Sequence, residues 1–147
     1  MTSIADFLRE NGTLTYPNVG TSMMPLLRQG KDLLVVRARK EGERFRVGDV
    51  VLYHRPPDRY VLHRIVEVRP EDYVILGDNC VRREYGIKDG DILGLMTGYV
   101  RGGREHSPEE RGYRIYSAWV LRTEKLRIAC KRLISGLRRT VKRVIGK

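Results

Sequence analysis

Residues 48–68 read GDVVLYHRPPDRYVLHRIVEV. Two runs rich in β-branched, aliphatic and aromatic residues flank Pro56-Pro57-Asp58, a trio that favours a turn. Similar runs stand at 31–38 (KDLLVVRA), 72–78 (DYVILGD) and 90–100 (GDILGLMTGYV). Gly30-Lys31-Asp32, Gly48-Asp49 and Gly90-Asp91 punctuate them. Short strands at this spacing predict a mainly β fold: a compact, curled or barrel-like, mostly antiparallel sheet.

Helices are expected at both ends. Over residues 3–11, Ser3 can cap, Ile4, Phe7 and Leu8 form an apolar face, and Gly12 can stop the helix. Residues 101–112 (RGGREHSPEERG) read as a polar loop, dividing a β-rich domain (1–112) from a tail (113–147). From Trp119 onward Leu121, Leu126, Cys130, Leu133, Leu137, Val141 and Val144 recur at mainly three- and four-residue steps, with Lys and Arg between them. That spacing predicts a basic amphipathic C-terminal helix.

The net charge of +11 is concentrated there: residues 117–147 hold ten Lys or Arg and one acid, Glu124. The rest of the chain is nearly neutral, so the tail carries whatever the charge does. An anionic membrane surface is the expected partner, contacted by Lys131, Arg132, Arg138, Arg139, Lys142 and Arg143, with the apolar stripe beneath. Packing on the chain's own β-domain or on a partner, and contact with nucleic acid, are the alternatives; so regular an apolar face disfavours nucleic acid.

MTSIADFLRENG has neither a basic n-region nor an apolar h-region, and no run is apolar enough to span a bilayer. Cys80 and Cys130 lack metal-type spacing and suit a reducing compartment. A cytoplasmic protein, peripheral on the inner face of the membrane, is expected. No cofactor and no metal are expected.

The chemistry centres on residues 20–25, GTSMMP. A serine hydroxyl is a poor nucleophile until a neighbour takes its proton. Of the three histidines, His106 lies in the polar loop and His54 ends a strand ahead of the Pro-Pro turn, pointing to solvent. His63 sits within a strand, a stiff mount for an imidazole that titrates near neutrality. VILGDN (74–79) then places Asp78 at a strand end, where a carboxylate can orient the ring.

Four segments in this order resemble the signal peptidase and LexA-like serine peptidase superfamily over about residues 14–100. GTSMMPLL is similar to its nucleophile box, FRVGDVVLY to its second conserved strand, VLHRIVEV to its general-base box and VILGDN to its acidic box. Bacterial signal peptidases carry lysine as the base; His63-Arg64 resembles the endoplasmic-reticulum and archaeal type. The resemblance implies Ser22 as nucleophile, His63 as base and Asp78 as third member. It also implies a second acid about six residues further on, where this chain has Glu84. Either carboxylate can serve.

Gly20 stands where many bacterial signal peptidases have a serine that helps form the oxyanion hole. The hole then relies on backbone N–H groups around Ser22, including the Gly20–Thr21 segment. Met23 and Met24 would wall an apolar pocket or pack in the core. VKRVIG (141–146) looks like a lysine-base box, but it falls in the tail helix, and Lys142 reads as surface charge.

The expected function is a serine endopeptidase acting on extended leader- or signal-like peptide segments. One alternative is a self-cleaving LexA-like regulator. The stretch before Ser22 is too short for a helix-turn-helix domain, and the chain has no Ala-Gly or Cys-Gly bond of the kind such regulators cut. Another is a non-catalytic membrane- or nucleic-acid-binding module on the same fold.

Overall fold

The computed structural model describes residues 3–146. Helix α1 (Ile4–Asn11) forms where the sequence signals it. Ser3 accepts a hydrogen bond from Asp6 N, Gly12 closes the C-terminus at φ 75°, and Leu8 is buried.

Eight strands follow: β1 (Thr13–Pro17), β2 (Asp32–Ala38), β3 (Val50–Arg55), β4 (Arg59–Val68), β5 (Tyr73–Leu76), β6 (Glu84–Ile87), β7 (Ile92–Arg101) and β8 (Arg104–His106). They form one sheet in the order β1-β2-β7-β3-β4-β5-β6, with β8 also on β7, and every pairing is antiparallel. Register shifts between Val35 and Val36, Leu52 and Tyr53, and Ile65 and Glu67 bend it. The result is curled and mainly β, as the strand spacing predicts.

The curl explains why β3 is apolar on both faces. Val50 and Leu52 pack with Leu8, Leu27, Val36 and Met96, while Val51 and Tyr53 pack with Phe45, Ile65, Tyr73 and Ile75. Where β2 crosses β7 the backbones lie so close that a Cβ on Gly94 would stand 2.3 Å from Arg37 O. Only glycine fits there.

Two helices end the chain, α2 (Arg111–Arg122) and α3 (Glu124–Ile145). The structure corrects the sequence reading at three points. The 101–112 segment is not all loop: β7 runs to Arg101, and Gly102-Gly103 turn the chain into β8. His106 is therefore held, its ring stacked on Tyr99 at 4.8 Å and its Nδ1 3.1 Å from Glu110. His54 does not project freely either, since Nε2 lies 3.2 Å from Pro57 O and the ring packs on Tyr60. The tail is two helices meeting at Thr123, not one, and its first part packs on the sheet. Val120 and Glu124 are buried, and Tyr113 and Tyr116 border the core. From Leu133 onward α3 is mostly exposed.

Candidate active site

Ser22 lies in the loop joining β1 to β2. Hydrogen bonds close that loop at its base: Asn18 N donates to Asp32 O at 2.9 Å and Gly30 N to Asn18 O at 3.3 Å. Arg101 binds both Asp32 carboxylate oxygens, at 2.9 and 2.6 Å, and Arg28 N donates to one of them at 2.7 Å. The Arg101 hydrogen bonds hold the Asp32 carboxyl below the usual carboxylate range.

The Gly77–Cys80 turn after β5 clamps the other side of the loop. Asn79 N donates to Ser22 O at 2.8 Å, Asn79 Nδ2 to Thr21 O at 3.0 Å, and Asp78 N to Met23 Sδ at 3.5 Å. Met23 is thus a buried strut, while Met24 is exposed. The backbone N–H groups of Ser22 and Met23 donate no hydrogen bond to the described residues. Two unpaired amides beside a serine are the raw material of an oxyanion hole.

His63 reaches the same place from β4, which pairs with β3 through Val51–His63 and with β5 through Arg64–Leu76. A Cβ on Gly77 would lie 2.7 Å from Ser22 O and 2.9 Å from His63 Nε2. The missing side chain of Gly77 thus leaves the space across which the serine segment and the imidazole meet. Ser22 and His63 line one cleft, without a direct hydrogen bond between their side chains.

Behind the ring, Nδ1 lies 3.3 Å from Glu84 Oε1 and 3.4 Å from the Tyr53 hydroxyl. Tyr53 donates its proton to Glu84 at 2.8 Å and accepts from Arg55 at 2.9 Å. With that proton committed and Glu84 a carboxylate, neither neighbour donates to Nδ1, so Nδ1 carries the hydrogen and Nε2, on the Gly77 side of the ring, carries the lone pair. Burial lowers the pKa of His63 below its ordinary value, with the Glu84 charge opposing the shift. Burial thus favours the neutral ring.

Asp78 is engaged elsewhere. Arg64, fully buried, donates to both its oxygens at 2.8 Å, and Tyr116 donates to Oδ2 at 3.0 Å. Of the two candidate acids, Glu84 is the one beside the imidazole. Asp78 instead ties β4, the Gly77–Cys80 turn and α2 together.

These groups line a cleft of about 700 Å³, with Ser22 and Met23 on one wall, His63 and Glu84 on another, and Leu34 and Leu52 among its apolar surfaces. No protein-family model matches the chain, and no curated protein matches it in sequence. Among the described residues no cluster of His, Cys, Asp and Glu is suited to a metal ion, and no helix is long and apolar enough to cross a membrane.

Sequence reasoning missed Tyr53 and Arg55 behind His63, and Cys80, whose half-buried Sγ lies 3.9 Å from Ser22 O. Burial pushes the Cys80 thiol up, away from thiolate character. A signal for Tyr53 did exist. Val51 stands opposite His63, and strand alternation puts Tyr53 on the same face. The start of α3 packs on the chain's own β-domain, one of the alternatives for the tail: Arg127 donates to Asp78 O at 2.6 Å, and Lys131 to Asn79 O at 2.6 Å. Lys131 is therefore bound back to the Gly77–Cys80 turn, and Arg132 reaches Val81 O at 3.4 Å. Arg138, Arg139, Lys142 and Arg143 remain on the exposed part of α3.

Proposed function

We propose that the chain is a serine endopeptidase that cleaves extended, leader- or signal-like peptide segments. The observation that carries this reading is the convergence of the Ser22 segment and His63 Nε2 on the space at Gly77, with Glu84 on Nδ1. In the reaction, Ser22 Oγ attacks the scissile carbonyl carbon and His63 Nε2 takes the hydroxyl proton. Glu84 stabilises the imidazolium, and the Ser22 and Met23 amides receive the developing oxyanion. The ring then gives its proton to the leaving amine. Water, deprotonated by the same nitrogen, cleaves the acyl-enzyme and releases the acid product.

The absent Ser22–His63 hydrogen bond is compatible with this reading, because catalytic hydrogen bonds often close only around substrate. The alternative acid, Asp78, is less suited, because releasing it toward His63 would leave a buried guanidinium unpaired. The test is covalent labelling with a fluorophosphonate. Wild type labels at Ser22, located by mass spectrometry of the adduct, and Ser22→Ala does not. A wild-type chain that stays unlabelled favours the non-catalytic binding module.

The distal half of α3 supports a membrane-surface role. Leu133, Leu137, Val141 and Val144 are 66%, 58%, 52% and 71% exposed, with Arg138, Arg139, Lys142 and Arg143 between them. An exposed apolar stripe edged by cations suits an anionic lipid surface. This would hold the peptidase on the membrane beside its substrates.

A further inference from the structure

The cleft does not end at the catalytic turn. Val81 and Arg82 line it and also line a second groove of about 510 Å³, between this segment and the first turns of α3. The floor of that groove is apolar, with Val81, Tyr85 and Ile128. Its rim carries Arg82, Lys125 and Arg132, none of which is in an ion pair with another described residue. The one acid in its lining, Glu124, is buried and spent on Arg83, which binds its two oxygens at 2.5 and 2.9 Å. The groove therefore offers apolar surface and three cations outside any ion pair, with no free carboxylate.

We propose that this groove is a substrate exosite, holding an acidic and apolar segment of the same polypeptide whose scissile bond lies at Ser22. The inference rests on the peptidase reading and names the chemistry of the substrate it selects. Continuity through Val81 and Arg82 lets an extended chain pass from one site into the other. Charge complementarity favours an acidic segment and repels a basic one. Binding away from the reacting bond can be spent on positioning that bond in the cleft. The groove thus selects the substrate, and the cleft cuts it.

The test uses the full-length Ser22→Ala protein, so that binding is read without turnover. A fluorescein-labelled peptide of Glu, Leu and Ala is titrated by anisotropy beside its counterpart with Lys in place of Glu. The acidic peptide is expected to bind at least about tenfold more tightly, and more weakly as salt rises. Lys125→Glu with Arg132→Glu should weaken it by about tenfold, whereas Arg138→Glu with Arg139→Glu should leave it unchanged. The milder pair Lys125→Ala with Arg132→Ala, and melting curves for every variant, separate lost binding from lost folding. Equal binding of the two peptides, or indifference to reversal at 125 and 132, overturns the proposal. So does a reversal that weakens binding to phosphatidylglycerol vesicles but not to the peptide. Fluorophosphonate labelling of wild type is scored separately. Labelled protein without peptide selectivity rejects the exosite alone, and selective binding without labelling rejects hydrolysis while leaving the acidic-peptide site in place.

Discussion

Arg64 grips both oxygens of Asp78 at 2.8 Å in a pair with almost no solvent exposure. Arg64 Nη1 also donates to Gly48 O at 2.9 Å and to Ser117 Oγ at 2.8 Å, so one guanidinium joins two strand ends to α2. Arg64 follows the proposed base and Asp78 opens the turn that clamps Ser22. The ion pair therefore joins the strand that carries His63 to the turn that clamps Ser22.

Breaking this pair should cost stability first. Asp78→Asn or Arg64→Met leaves a buried charge uncompensated, an effect on the order of 3–5 kcal/mol. Melting should fall by roughly 10 °C for a chain of this size. The double variant Arg64→Met with Asp78→Asn should recover part of the loss, and thermal unfolding of all three checks it. Additive losses in the double variant would show that the partners are not coupled.

Glu84→Gln should do the opposite, sparing stability relative to Asp78→Asn and slowing acylation by roughly a hundredfold or more. Removing the carboxylate leaves the imidazolium without its counter-charge. Fluorophosphonate labelling rates at pH 7 make the comparison. If Asp78→Asn slows labelling of the folded protein more than Glu84→Gln does, the acid is assigned wrongly.

The pH profile follows from the same neighbours. Burial lowers the pKa of His63, so the midpoint of the acid limb of the wild-type labelling rate should lie below that of an ordinary histidine. Glu84 is the main opposing influence, raising that pKa. Glu84→Gln should therefore move the acid limb lower still while depressing the plateau. For stability the sign is that of a depressed histidine. The unfolded chain binds the proton more readily, so this contribution is present above the unfolded pKa and lost as pH drops below it.

Gly77→Ala probes the meeting point directly. The new methyl would stand 2.7 Å from Ser22 O and 2.9 Å from His63 Nε2, forcing the serine segment and the ring apart. Labelling should slow by about a hundredfold, since displacements of an ångström cost that much. A variant labelling at the wild-type rate would show that Gly77 does not set this spacing.

Truncation separates the two parts of α3. Removal of residues from Leu133 onward should abolish binding to anionic vesicles in a flotation assay while leaving the melting temperature within a few degrees. Removal from Glu124 onward also strips the Arg83–Glu124 pair and the Arg127 and Lys131 contacts to the catalytic turn. That deletion should lower both stability and labelling.

The strands were legible because their signal is local. Alternation and turn residues depend only on near neighbours, so five runs marked by sequence appear as β2, β3, β4, β5 and β7. The same logic placed α1 between Ser3 and Gly12. β1, β6 and β8 were missed because TLTYP, EYGI and REH are short, half-exposed edge pieces, ordered by pairing with β2, β5 and β7. His106 looked free because its stacking partner, Tyr99, lies across a hairpin.

By itself the sequence determined which residues could do chemistry: one serine in a glycine turn, one histidine inside a strand, and two acids beyond it. Only the tertiary structure decided which of them sit together. Asp78 and Glu84 are interchangeable on paper, six positions apart in one polar stretch. In the folded chain Arg64 takes Asp78 and Arg55 with Tyr53 holds Glu84 beside the imidazole. The physical reason is that a carboxylate's role is set by the donors that face it once solvent is excluded, and those donors arrive from strands far away in the chain.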